Sequence, residues 1–306
     1  MARLAVSPPT NVTDRDRPRR TPTALAIRRF RQSRSALVGS VVLLLIVLSA
    51  LTASRLSPYD PLKIGQGEPL APPSRAHPMG TDRFGRDVFS RILWGGRTTL
   101  PVGLISVSIA ATVGVSSGLI AGYRGGRMEA VIMRMVDLML AFPGILLALF
   151  IIAILGGSLV NLMIAVGIAS IPDYVRLTRG MVLSAKEQEF VLAARALGYR
   201  ESNIMFRHIL PNVMAPLVVM ATLRIASAII TASALSFLGL GVQPPTPEWG
   251  KMLAEGQEFL IYAWWVTFFP GLAIMLTVFS INLLGDGLRD ALDPRLRLRA
   301  ASKSSG

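Results

Sequence analysis

LMLAFPGILLALFIIAILGGSLVNLMIAVGIASIP, residues 138–172, contains no charged side chain over 35 positions. A single helix of that length would run about 52 Å, at 1.5 Å per residue. The hydrocarbon core of a bilayer is only about 30 Å thick and takes roughly 20 residues to cross. Gly156-Gly157-Ser158 offers the place to divide it. The stretch therefore predicts a hairpin of two membrane spans, about 138–155 and 159–175, the second carrying Pro172 and Asp173 near its end.

Working outward, the same test finds four more spans. Ala36–Ser54 is uncharged and follows Arg28, Arg29, Arg31 and Arg34, giving a first span within 36–56. Thr98–Tyr123 is uncharged and rich in Gly, Ser and Ala, residues that let helix backbones approach closely in lipid; its span is about 98–122. Further spans fall at about 213–237 and 261–284. The reading is an all-α polytopic membrane protein with six transmembrane helices.

Composition agrees. Only 16% of the 306 residues are charged, against roughly 25% in soluble domains. There is no cysteine, which excludes disulfides and thiolate chemistry. His77 and His208 stand far apart, so no zinc cluster is expected. The net charge of +14 could signal nucleic acid, but the basic residues flank apolar spans, where topology and anionic lipid account for them. No nucleic-acid partner is expected. Residues 1–35, with nine arginines, read as a basic cytoplasmic arm rather than a cleaved signal peptide.

Six spans put both ends of the chain on one side. With the N-terminus in the cytoplasm, the inner segments hold 23 Lys and Arg and the outer ones eight. The positive-inside bias therefore predicts cytoplasmic termini, a periplasmic segment at 57–97, a cytoplasmic loop at 176–212 and a cytoplasmic tail at 288–306.

Within that loop, Glu189-Phe-Val-Leu-Ala-Ala-Arg-Ala-Leu-Gly198 precedes Arg207-His-Ile-Leu-Pro-Asn212. Ala194 and Gly198 are four apart and are expected to share one flat helix face. Ala193 adjoins it, and Glu189 and Arg195 supply charges at its rim. Pro211 stands where the fifth span begins, a position that tolerates a missing N–H. Such a face could receive another protein, or the segment could lie on lipid as an interfacial helix.

The stretch resembles the cytoplasmic signature loop of binding-protein-dependent ABC importer permeases, Glu-Ala-Ala, three residues, Gly, and later Ile-x-Leu-Pro. Ala193, Ala194, Gly198, Leu210 and Pro211 match; Leu192 stands at the Glu place and His208 at the Ile place. His77-Pro-Met-Gly-Thr-Asp-Arg-Phe-Gly-Arg-Asp87 is similar to the segment leading into the second span of the dipeptide, oligopeptide and nickel permeases. Ala141-Phe-Pro-Gly144, Leu235–Gly241, Pro244–Gly250 and Asn282–Asp290 also look like family segments, in family order. The chain is most similar to the glutathione and dipeptide branch, as its second permease type.

That resemblance implies a type I ABC importer permease fold, with the ABC importer core spanning 98–287. It implies peptide import across the bacterial inner membrane by alternating access, with nickel chelates as the alternative cargo. Its expected partners are two ATP-binding cassette subunits gripping 189–212, a sibling permease, a periplasmic substrate-binding protein and membrane lipid. ATP and Mg would be bound by the ATPase partners, with no cofactor on this chain, and the chain is not expected to be an enzyme. None of its four lysines, at 63, 186, 251 and 303, closes a phosphate-binding loop.

Gly80, Thr81, Asp82, Gly85, Arg86 and Asp87 form the periplasmic motif. Asp82 and Asp87, with Arg83 and Arg86, could make a salt-bridged cap or meet a docked binding protein. The prolines at 244, 245 and 247 predict a stiff extended loop that could brace the spans or present a docking surface. Arg224 lies well inside a span, where a charge costs several kcal/mol and needs a partner or a water-filled cavity. It could hold a substrate carboxylate or bond to the sibling subunit. A proton-coupled secondary transporter is the rival reading, but it needs ionisable residues within the spans, and only Arg224 and Asp173 qualify.

Overall fold

The computed structural model describes residues 30–292. Most of the arginine-rich arm (residues 1–29) and the tail from 293 onward lie outside the described residues. Helix α1 (Arg34–Leu51) is capped by the Ser33 hydroxyl, which accepts from the Ala36 N–H. One turn, α2 (Ala53–Leu56), follows. Helix α3 (Val88–Arg124) starts at 88 rather than at 98, because the Asp87 carboxylate accepts from the Ser90 N–H. A helix starts where its first orphan donors find an acceptor, not where the charges stop.

The third span differs from a straight helix over 138–155. Helices α4 (Gly126–Leu140) and α5 (Gly144–Leu155) meet at 92° across Ala141-Phe142-Pro143. Pro143 has no N–H to continue the ladder, and its ring pushes the preceding residue out of helical geometry. Helix α5, 12 residues long, reaches only about 18 Å. Among the described residues five helices are long and apolar enough to cross by themselves, and the bent pair makes a sixth span if it is counted as one.

The turn at 156–158 falls where the glycines place it. Helix α6 (Leu159–Ala185) is capped by Ser158, whose side chain accepts from the Asn161 N–H. It then runs ten residues beyond the expected end at 175 and carries Pro172 within it. Membrane helices tolerate such prolines because neighbouring elements satisfy the freed groups.

Helices α3 and α6 make the most extensive helix contact in the molecule. Gly114, Gly118 and Gly122 of α3 lie against Tyr174, Thr178 and Val182 of α6, and a Cβ on Gly118 would sit 2.7 Å from the Val175 carbonyl oxygen. The close packing expected of small residues is realised here, at every fourth position.

After α6 come α7 (Glu189–Ala196), the short α8 (Glu201–Asn203) and a π-helical turn, Ile204–Ile209. Helix α9 (Leu210–Phe237) follows, then α10 (Trp249–Gly256) and α11 (Trp265–Leu292). Gly287 near the end of α11 packs on Ala36 near the start of α1, while Gly122 packs beside Val182 close to α7. Both ends of the described chain thus lie at the end of the bundle that carries residues 176–212. The 77–87 motif lies at the other end, where Trp265 donates to the Thr81 carbonyl. Large apolar side chains such as Leu45, Phe150, Ile154 and Phe279 point outward, which suits a lipid-facing surface.

Candidate functional site: two ends and a charge pair between them

At the motif end the charges are buried and mutually paired. Asp82 accepts from the Phe84 and Arg86 N–H groups at 2.8 and 3.0 Å and from Arg86 Nε at 2.6 Å. Arg86 Nη2 reaches Glu255 at 3.2 Å, and Arg91 reaches Asp82 and Glu255 at 3.6 and 3.5 Å. Two carboxylates and two guanidiniums therefore neutralise one another, which is what burial of four charges requires. Asp87 accepts from Ser90 and from His77 Nδ1, the latter at 2.9 Å. Gly85 adopts φ +68° and leaves no room for a side chain beneath the Gly67 carbonyl. Gly80 and Thr81 close the motif against Trp265.

The salt-bridged cap expected of residues 77–87 is present with two changes of membership. Asp87 pairs with His77 rather than with an arginine, and Arg83 is exposed and stacks over the Phe84 ring at 4.7 Å; Arg91 and Glu255 take their places. Arg91 stands out in the sequence only as a charge just ahead of a span, and Glu255 gives no local signal at all. The proline loop braces the same cap: Pro247 accepts from the Thr98 hydroxyl at 2.6 Å, and Pro245 from Arg91 at 3.5 Å.

Next to that loop, Glu248 caps α10 by accepting from the Gly250 and Lys251 N–H groups. Burial pushes its carboxyl above the ordinary glutamate range, against the opposing pull of those two hydrogen bonds and of the Thr99 hydroxyl.

The loop end corrects the flat face expected of Ala194 and Gly198. Val191 and Ala194 are buried among Leu119, Val182, Ile204, Ile209 and Leu217, so Ala194 faces inward. Gly198 is not in the helix but follows its C-cap, at φ +76°. Tyr199 N–H donates to the Ala194 carbonyl and Gly198 N–H to the Arg195 carbonyl, which is a Schellman closure that favours glycine. The outward surface is apolar instead: Phe190, Leu192, Leu197 and Tyr199 are exposed, Leu197 by 77%. Glu189, Ala193 and Arg195 are exposed beside them. Pro211 sits in the first turn of α9, just after the π turn. There the Leu210 N–H reaches back five residues to Met205, and the wider turn accommodates a proline that cannot donate to Arg207.

Between the two ends, Arg224 meets a partner within its own chain. Its Nη2 lies 2.9 Å from Asp173 Oδ2 on α6, with about a third of each side chain open to solvent space (39% and 36%). Farther along α6, Arg176 pairs with Asp137 at 2.7 Å and Arg179 with Glu129, both on α4. Arg224 borders a cavity of about 560 Å³ on the α9 side, and both groups border one of about 130 Å³ on the α5 side. Asp286, Arg289 and Asp290 are exposed and form no ion pair among the described residues.

Residues 114–298 match the family described as "binding-protein-dependent transport system inner membrane component", more than half of the chain. The chain belongs to this permease family. Residues 21–73 match the N-terminal transmembrane domain of oligopeptide transport permease C, which brackets α1. The permease is 49% identical over 274 residues to the di/tripeptide transport system permease protein DppC of Pseudomonas aeruginosa, covering 88% of this chain and 90% of that one. It is 46% identical over 284 residues to the glutathione transport system permease protein GsiD of Pectobacterium atrosepticum, covering 92% and 94%. Among solved structures it is similar to a chain of the inward-facing MetNI methionine ABC transporter, with TM-score 0.53 and 19% identity over 65% of this permease and 94% of that chain. At that identity the likeness speaks for the fold, a type I ABC importer permease.

Proposed function

We propose that the chain is one of two permease subunits of an ATP-driven importer that carries small peptides, di- and tripeptides or glutathione, across the bacterial inner membrane. The observation that carries this reading is the construction of α7. Its inner side is anchored by Val191 and Ala194, its end is closed by Gly198, and its exposed Leu192, Leu197 and Tyr199 form a rigid apolar knob for a partner's cleft. Two ATPase subunits would seat the knobs of this chain and of its sibling permease. Nucleotide-driven closure of the ATPases would then move the knobs together and reorient the spans, a rigid-body change biased by a ligand. ATP and Mg belong to those partners, and no catalytic role falls on this chain.

The charge bias of the segments supports placing α7 and both termini in the cytoplasm. The 77–87 cap then faces the periplasm, where a substrate-binding protein would dock. The test is reconstitution of the full complex in liposomes with ATP on the α7 side. Uptake of a labelled dipeptide or of glutathione that requires ATP, and that Leu192→Glu abolishes while the subunit still inserts, is the expected result. Uptake that persists without the ATPases and collapses with the proton gradient would overturn it in favour of a secondary transporter; uptake of a nickel chelate alone would change the cargo.

A further inference from the structure

We infer that Asp173 and Arg224 form a subsite that receives the two charged ends of a zwitterionic peptide in transit; this rests on the peptide-importer reading above. Asp173 is the fifteenth residue of α6 and Arg224 the fifteenth of α9. Each therefore lies about 21 Å along its helix from the end where it starts; Arg224 falls midway along its span, and Asp173 three residues ahead of Arg176, toward the loop end. Arg224 is the only charge in α9, and the two side chains meet at 2.9 Å.

The pair is not sealed by packing. About a third of each group stays open, and the cavity of about 560 Å³ beside Arg224, lined also by Pro216, Val219, Met220 and Ser227, falls in the roughly 300–1,000 Å³ range of small-molecule sites. On the other side Ser170, Ser227 and Thr231 give the smaller cavity hydroxyl groups beside the carboxylate. A partly open pair is free to exchange partners, because neither charge is locked in by packing and the attraction between them is weakened by exposure. This one opens onto the smaller cavity through both groups and onto the larger one through Arg224.

A free peptide at neutral pH carries an α-ammonium group, with an ordinary pKa of about 8, and an α-carboxylate, with one of about 3.5. Exchange of partners matches it to the pair: the guanidinium takes the carboxylate through two parallel N–H donors, and Asp173 takes the ammonium. One opposite-charge contact becomes two, and neither helix is left with a lone charge at depth. Without cargo the pair neutralises itself and presents no net charge to a passing ion. No covalent step is involved.

The experiment uses the full complex with its loaded binding protein at saturation, and first establishes which of a dipeptide or glutathione the wild type takes up with ATP. Failure at that step sinks the peptide-importer reading and not the pair. Arg224→Gln, Asp173→Asn and the double variant are then compared for assembly and for maximal uptake. Each single variant is expected to lose about tenfold or more, the scale of one charge-assisted contact.

The double variant decides between a site and a brace. A brace leaves no stranded charge when both partners are neutral, so uptake would return toward wild type and the inference would be overturned. A subsite lacks both ligands, so assembly recovers and uptake stays low. If the variants do not assemble, the wild-type complex answers by photolabelling, with the same cargo bearing a diazirine at its C-terminal residue. Label on α9 around Ser227 supports the subsite, and label confined to other helices overturns it.

Discussion

Arg224 and Asp173 stand 51 residues apart in sequence and 2.9 Å apart in space, each the answer to why the other is tolerated inside a span. Removing one strands its partner. Arg224→Ala is expected to destabilise the assembled complex by about 1–2 kcal/mol, a value between exposed and buried pairs because both groups are partly open. A thermal melt of the purified complex measures it, and an unchanged midpoint would show that the pair contributes nothing to stability.

Gly198 closes α7 in a left-handed conformation that L side chains adopt at a cost. Gly198→Val is expected to lose roughly 1–2 kcal/mol locally, with Gly198→Asn milder. Amide exchange over residues 194–199 should speed up in the first variant and much less in the second.

The two faces of α7 are expected to fail in different ways. Leu192→Glu charges the exposed surface and should abolish co-purification of the ATPase while the permease melts normally. Ala194→Leu forces three carbons into a buried site and should cost about 1–3 kcal/mol of stability. Equal effects on docking and on melting in both variants would contradict this division.

At the other end, Glu255→Ala leaves Arg86 and Arg91 as neighbouring cations with only Asp82 between them. A loss of about 3 kcal/mol or more is expected, read as a melting shift larger than that of Arg83→Ala, whose side chain lies outside the network.

Glu248 sets a pH dependence. Its folded pKa lies above the unfolded value of about 4.3, so the folded state holds the proton more tightly. That contribution to stability is complete below the unfolded pKa and is lost as pH rises through the folded one. Glu248→Gln keeps a cap acceptor and cannot ionise; melts from about pH 4 to about pH 8 should show a flatter profile than wild type.

The chain's own pattern marked out the apolar spans and the family, because hydropathy and charge are local properties and a bilayer imposes a fixed length on each span. Helix ends followed a subtler signal. Asp87 and Ser158 are recognisable caps, yet the uncharged window put α3 ten residues too late, and Pro143, visible in the sequence, breaks the third span more sharply than Gly156 and Gly157 suggested. The glycines of α3 announced close packing, but not that α6 was the helix they would meet.

Only the tertiary structure decided which residues share a site. Arg91 and Glu255 complete the cap because α10 folds back over the start of α3. Ala194 turned inward, against the expected flat face, because α7 packs its Val191 side on the ends of α3, α6 and α9; the apolar knob is what remains outside. Pairing of Arg224 with Asp173 depends on the depth at which α9 crosses α6. The sequence by itself determined what each segment must be in a membrane, while the packing of helices distant in the chain decided which charges are buried, which are matched and which stay open. The reason is that burial and Coulomb partners belong to pairs of segments, and no single segment carries that information.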